Sequence, residues 1–181
     1  MKYTQFKNRV RGYPVISGRL LDMLGEDRRI LQNQLSRWRK QGLIIQLRRG
    51  LYLLNREDRA IHPSPFFLAN QLVFPSYVSL EAALAFYHII PETVYQVTSV
   101  TTQKPGQFDT PAGSFRYRHV KPLLHFGFES VKDEAGLSIH IASPEKALLD
   151  FFYLNLAQFS ISDRRIFEDS FRLHASEALQ L

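Results

Sequence analysis

Residues 27–42 read DRRILQNQLSRWRKQG, and this stretch decides the fold of the N-terminal part of the chain. Asp27 is a favourable helix N-cap and Gly42 a favourable C-terminal stop, so a helix is predicted between them. At about 100° per residue, three large apolar side chains fall on one narrow stripe. They are Leu31, Leu35 and Trp38. We expect this stripe to face a hydrophobic core.

The face opposite the stripe carries cations, an amide and a hydroxyl, and no acid. Its members are Arg29, Asn33, Ser36 and Lys40, with Arg37 beside them. Arg reads guanine bidentately, Asn reads adenine, and Ser and Lys reach phosphates or base edges. The face is therefore typical of a DNA-reading helix. The alternative, that it is simply solvated, stays open at this point.

A basic hairpin is predicted directly after the helix, where residues 43–54 read LIIQLRRGLYLL. Two apolar runs, 43–47 and 51–54, flank a short connection that contains Gly50, which indicates a hairpin turn. Arg48 and Arg49 place two cations at this turn, where they can grip a phosphate backbone.

Two shorter helices are predicted upstream, one over about 3–11 and one over about 18–24 that Ser17 caps and Gly25 ends. Three helices followed by a basic hairpin form the order of a winged helix-turn-helix. We assign its DNA contacts to nine residues of the third helix and the hairpin. They are Arg28, Arg29, Gln32, Asn33, Ser36, Arg37, Lys40, Arg48 and Arg49.

The charge distribution agrees with this assignment. Residues 1–60 hold 14 Lys and Arg against five Asp and Glu, whereas residues 61–181 hold nine against 12. A basic N-terminal part on a mildly acidic remainder is a common layout for a DNA-binding module joined to a second domain. Pro63 and Pro65 favour an extended linker at the boundary, so domains are predicted over 1–62 and 63–181.

The second domain is predicted to be mixed α/β, which makes the whole chain α+β. Helices are predicted near 66–73, 79–89, 144–156 and 163–174. Strands are predicted near 94–102, 114–120, 123–130 and 137–141.

The segment SPEKALLD, residues 143–150, has a structural interpretation. Ser143 caps a helix, Pro144 suits its first position and Glu145 lies favourably at the positive end of the helix dipole. The buried face would then comprise Ala147, Leu148, Phe151 and Phe152. The same capping logic applies to Ser79 and Glu81. In the alternative, a buried polar cluster or a partner-binding surface is formed by Glu81, Glu145, Lys146 and Asp150.

Another basic stretch, residues 116–119, reads RYRH on a predicted strand. It is either a second surface that faces nucleic acid or a strand with one solvated side.

Several classes of function find no support in the sequence. Cysteine is absent, which excludes disulfides and thiol nucleophiles and fits a reducing cytoplasm. The six histidines form no metal-binding spacing, and no G-x-S-x-G or G-x-G-x-x-G motif occurs. No apolar run is long enough to span a bilayer, and residues 1–14 do not read as a secretory signal. We therefore expect a cytoplasmic protein that is not an enzyme and has no cofactor, metal site or membrane partner.

Four segments resemble the AbiEi-like antitoxins of type IV toxin–antitoxin systems, which are associated with abortive phage infection. They are LSRWRKQGLIIQLRRGLYLL (35–54), FPSYVSLEAALAFYHIIPE (74–92), TSVTTQKPGQFDTPAGSFRYRHVK (98–121) and IASPEKALLDFFYL (141–154). The combination of SYVSLEAAL, TSVTT and SPEKALLD is the most specific part of the resemblance. It spans most of the chain in the family's order.

The resemblance implies a repressor that binds inverted repeats in its own promoter, as a homodimer or cooperatively. It also implies that the second domain counteracts a nucleotidyltransferase toxin, by direct contact or by opposing the toxin's effect. The basic positions of the family's DNA-binding end match Arg37, Lys40, Arg48 and Arg49. A rival hypothesis is a protein-interaction module that neutralises a toxin by direct binding, without operator recognition.

Overall fold

The computed structural model describes residues 1–91 and 94–155, which form a mixed α+β fold with six α-helices and two sheets. The chain divides into two compact units. The first consists of residues 1–64 and 108–112, and the second begins at Pro65 and contains the rest.

The first unit contains three helices and a three-stranded sheet. In chain order the elements are α1 (Tyr3–Val10), β1 (Ile16–Ser17), α2 (Gly18–Met23), α3 (Arg28–Lys40), β2 (Ile44–Arg48) and β3 (Leu51–Leu54). The strands lie in the order β1-β3-β2, and both pairs are antiparallel. The three predicted helices and the hairpin are confirmed. Strand β1 was not predicted, because two residues are too few to show the alternation of apolar and polar side chains that indicates a strand.

Both ends of α3 are formed as the sequence predicts. The Asp27 carboxylate accepts the backbone N–H groups of Arg29 (2.9 Å) and Ile30 (3.0 Å), which have no partner within the helix. After the helix, Gly42 adopts φ +73°, a left-handed conformation that glycine takes without a steric penalty.

The apolar stripe of α3 is buried, as predicted, with Leu31, Leu35 and Trp38 each at most 5% exposed. The Trp38 ring packs against the rings of Phe6 and Tyr3 from α1, at centroid distances of 4.7 and 5.5 Å. These aromatic contacts fix the position of α3 on α1.

A polar contact joins α1 to the segment after β3. The Asp58 carboxylate lies 2.8 Å from the Lys7 ammonium and 2.7 Å from the Tyr3 hydroxyl. The hydrogen bond from Lys7, and then that from Tyr3, holds the pKa of Asp58 below its usual value. Burial, together with the Asp58 charge, raises the pKa of Tyr3. The carboxylate is therefore ionised and paired at neutral pH.

The described residues from Pro65 onward form a six-stranded mixed sheet and three helices, which belong to the second unit except for residues 108–110 of one strand. The elements are α4 (Pro65–Leu72), β4 (Ser76–Val78), α5 (Leu80–Phe86), β5 (Gln96–Thr101), β6 (Gly106–Thr110), β7 (Gly113–His119), β8 (Phe128–Lys132), β9 (Ser138–Ala142) and α6 (Pro144–Asn155). The strand order is β6-β7-β5-β4-β9-β8. β4 pairs parallel with β9 and β5 with β7, whereas β4–β5 and β8–β9 are antiparallel.

Three predictions for this unit need correction. The strand predicted over 123–130 is wrong in its first part, because Pro122–Leu124 form a 3₁₀ turn and β8 begins at Phe128. Strands β4 and β6 were missed, since one is three residues long and the other is largely exposed. Pro65 begins α4 instead of extending a linker, because the first helical position tolerates proline. The helix predicted over 163–174 lies outside the described residues.

A buried ion pair lies between α6 and the strand–helix junction at β4. Asp150 accepts hydrogen bonds from the hydroxyls of Tyr77 (2.9 Å) and Ser79 (2.8 Å) at one oxygen. The Lys146 ammonium lies 2.7 Å from the other oxygen and donates also to the Leu124 carbonyl at 2.9 Å. Lys146 and Asp150 are 5% and 2% exposed, so all charge compensation comes from these protein groups.

Both interpretations of SPEKALLD hold in part. Ser143 caps α6 as predicted, since its hydroxyl accepts the Lys146 N–H at 3.3 Å. Lys146 and Asp150 form a buried polar cluster, while Glu145 stays exposed and its pKa is lowered by a hydrogen bond from Ser143. The Ser79 hydroxyl does not cap α5, contrary to prediction, because it donates to Asp150.

The prediction of which residues form the buried face of α6 is confirmed in part. Ala147 and Phe151 are buried, whereas Leu148 and Phe152 are half-buried because the ion pair occupies part of the inward face. Among the described residues, no helix is long and apolar enough to cross a membrane.

Truncating Trp38 to Ala should lower the free energy of unfolding by about 3–5 kcal/mol, because it empties the contact between α1 and α3. Tyr13→Ala is the control: its ring is 50% exposed, and the expected change is within about 0.5 kcal/mol. Urea unfolding followed by circular dichroism measures both. Wild-type tryptophan fluorescence that iodide quenches freely would contradict the burial.

Replacing Asp58 by Asn should lower the free energy of unfolding by about 1–2 kcal/mol at neutral pH. Because the pKa is lowered in the folded state, this stability is present above the unfolded pKa of about 3.9 and is lost as pH falls through the folded value. The difference between wild type and variant should therefore vanish in acid. Fluorescence of the single tryptophan, Trp38, follows the unfolding. Glu57→Gln, at an exposed neighbour, is the control. If the variant's free energy of unfolding were lower than that of wild type by the same amount at neutral and acid pH, the ionic contribution would be disproved.

Asp150→Ala should cost about 3–5 kcal/mol, since it leaves the Lys146 ammonium buried without its counter-charge. The double variant Lys146→Met with Asp150→Leu should recover most of this loss, because it removes both charges at once. Glu145→Gln, on the exposed side of α6, is the control. Denaturant unfolding followed by circular dichroism compares the four proteins. A double variant less stable than Asp150→Ala would count against this account.

Candidate nucleic-acid interface

All nine side chains assigned to DNA contact are exposed. Seven of them belong to α3. Arg48 lies at the end of β2 and Arg49 in the turn to β3. The exposure of the helical residues follows from the buried stripe: once Leu31, Leu35 and Trp38 face inward, the opposite side of the helix must face outward.

The exposed side chains are almost all free of intramolecular partners. Arg28 lies 3.7 Å from Asp22, with side chains 83% and 60% exposed. An ion pair so exposed is worth about 0–1 kcal/mol, so it leaves Arg28 available. Among residues 1–91 and 94–155, the other eight side chains make no hydrogen bond or ion pair.

A cleft of about 460 Å³ brings three of the predicted residues together. Arg28 and Gln32 from α3 line it together with Arg49 from the hairpin turn. Gly50 completes this turn at φ +77°, a conformation that favours glycine. Asp22 and Glu26 line the same cleft, so negative charge lies beside its two cations.

A second, smaller cleft of about 210 Å³ lies between α3 and the hairpin. Gln32 and Ser36 line it, together with Arg39, Gln46 and Tyr52. The Arg39 guanidinium donates a hydrogen bond to the Gln46 side chain. This contact could not be predicted from the sequence, because helical periodicity does not reveal which strand passes beside a helix.

Five predicted residues line neither cleft. They are Arg29, Asn33, Arg37 and Lys40 on the outward side of α3, and Arg48 at the end of β2. Two exposed residues of α3 were not predicted: Arg39, and Ile30, whose side chain is 53% exposed. The predicted set is therefore spread over one helix face and one hairpin, with the two clefts between them.

The basic strand at residues 116–119 is only partly exposed. Tyr117 is buried, and its hydroxyl donates to the Ala69 carbonyl at 2.6 Å. Arg118 donates to the Leu154 carbonyl at 2.7 Å. Arg116 and His119 remain exposed, which favours a strand with one solvated side.

The part of the chain that the structure describes contains no group of three His, Asp or Glu side chains placed to hold a metal ion. Comparison of the chain with models of protein families and with curated proteins gives no match.

Proposed function

We propose that the first unit is a winged helix that binds double-stranded DNA through α3 and the β2–β3 turn. The observation that carries this proposal is the set of nine exposed side chains, eight of which have no partner among the described residues. Six of the nine are cationic. Exposed cations held on a helix and a hairpin suit the closely spaced phosphates of a duplex.

Sequence-specific binding is supported by the chemistry of the outward side of α3. Arg29 and Asn33 combine a guanidinium with a carboxamide, the groups that pair bidentately with guanine and adenine in the major groove. The chain then acts as a repressor of its own operon, bound to an inverted-repeat operator as a homodimer or cooperatively. This part rests on the resemblance to the AbiEi-like antitoxins.

The role proposed for the second unit is that of an antitoxin that counteracts a nucleotidyltransferase toxin. It rests on the resemblance carried by SYVSLEAAL, TSVTT and SPEKALLD. On this proposal the chain is a cytoplasmic binding protein and not an enzyme.

The direct test is titration of a duplex from upstream of the protein's own reading frame, followed by fluorescence anisotropy. A scrambled duplex of equal length and composition is the control. We expect a preference of at least about 10³-fold for the upstream duplex at physiological salt. If the chain protects cells from the toxin but binds neither duplex, it is the protein-interaction module of the rival hypothesis.

Charge reversal at the hairpin, Arg48→Glu with Arg49→Glu, should weaken binding to all duplexes about equally. Each lost phosphate contact should lower the slope of log K against log salt by about 0.9. The matched control is Lys104→Glu with Lys121→Glu, which makes the same charge change at two exposed lysines of the second unit. Wild-type affinity and salt slope in the hairpin variant would show that this hairpin does not touch DNA.

A further inference from the structure

Ile30 is an apolar side chain left uncovered in the first turn of α3. Its exposed fraction is 53%, whereas the other large apolar residues of the helix are at most 5% exposed. It follows Arg29 directly and is not part of the core of the first unit. Because α3 is rich in polar and charged residues, an exposed isoleucine here does not extend a larger apolar surface of the helix.

Ile30 shares a stripe of the helix surface with Asn33 and Arg37. The three residues stand at positions i, i+3 and i+7, and residues three or four apart are surface neighbours with Cβ atoms about 5–6 Å apart. The branched hydrocarbon of Ile30 therefore lies beside the carboxamide of Asn33. That distance is on the scale of one to two base-pair steps of about 3.4 Å each.

We propose that Ile30 and Asn33 read neighbouring base pairs in the major groove of DNA. Asn33 pairs bidentately with the N6 and N7 positions of an adenine, and Ile30 covers the C5-methyl group of a thymine in an adjacent pair. The proposal rests on the proposed DNA-binding function of the first unit and assigns that function a sequence element that contains A·T pairs.

Charge complementarity favours DNA over a protein as the occupant of this surface. Ile30 is flanked by Arg29 and Arg37, both exposed and without a partner among the described residues. The buried centre of a protein interface is depleted in charged residues, whereas a duplex offers phosphates to the cations and a methyl group to the isoleucine. The thymine methyl is also absent from uracil, so this contact distinguishes DNA from RNA.

The test begins with the full chain and a pool of random duplexes, from which bound sequences are selected. Each thymine of a selected duplex is then replaced by deoxyuridine, which removes one methyl group and preserves base pairing. At one position we expect wild-type affinity to fall about fourfold, the effect of returning one methyl group to water. Ile30→Ala should bind the thymine and uracil duplexes equally.

The neighbouring contact is checked with Asn33→Ala. This variant should lose discrimination at an A·T pair next to the methyl-sensitive thymine, while wild type keeps it. Met23→Ala is the matched control, because Met23 is an apolar residue of α2 that is 75% exposed. It should retain the thymine–uracil difference. Circular dichroism establishes that each variant is folded, and the thymine–uracil comparison in wild type needs no variant.

The proposal and the function on which it rests fail in different ways. If no duplex is enriched, the proposed DNA-binding function is wrong, and the proposal that Ile30 and Asn33 read bases is wrong as well. If duplexes are enriched but no thymine is sensitive to its methyl group, or Ile30→Ala stays equally sensitive, the assignment of Ile30 is overturned. An equal loss of affinity for both duplexes in Ile30→Ala would assign Ile30 to helix or subunit packing, which also overturns it.

Discussion

The first unit depends on burial of one stripe of α3 against α1. Trp38 contacts the aromatic rings of Phe6 and Tyr3, and with Leu31 and Leu35 it allows the helix one orientation about its axis. Rotation by even one residue would expose this apolar surface and bury cations. The packing energy of the stripe therefore also determines which side chains face outward, although none of the outward residues contributes to it.

The charge around the exposed face of α3 differs between the two ends of the helix. Near its first turn, Asp22 and Glu26 share a cleft with Arg28 and Arg49, so the cations there act beside negative charge. Further along, Arg37 and Lys40 have no acid within hydrogen-bonding or ion-pair distance among the described residues. On the proposed DNA-binding function, non-specific attraction to phosphates would be strongest toward the end of the helix, and the residues proposed to read bases lie near its start.

The second unit has a buried ionic contact in addition to its apolar core. Lys146 and Asp150 are buried with every polar atom of the pair engaged, which joins α6 to the loop at Leu124 and to the junction between β4 and α5. The loop has little freedom: a Cβ atom at Gly127 would lie 3.0 Å from the Lys146 side chain. A buried ion pair adds little net stability over an apolar replacement, but it makes loss of either partner costly.

The local features of this protein could be predicted from its amino-acid sequence. The caps at Asp27 and Gly42, the stripe of α3 and the turn at Gly50 all act within a few residues, so their patterns can be read directly. The exposure of the seven assigned side chains of α3 then followed from helical geometry, and that of Arg48 and Arg49 from their place at the hairpin turn.

The long-range contacts could not be predicted in this way, because they form only in the folded chain. The Ser79 hydroxyl bonds to Asp150, 71 residues away, in place of its own helix, and Arg39 bonds to Gln46 across the gap between helix and strand. Strand β1 exists because β3 lies beside it, since two residues have no strand signal of their own. Local propensity and periodicity extend over one or two turns, whereas these contacts depend on which distant groups the packed core brings within hydrogen-bonding distance.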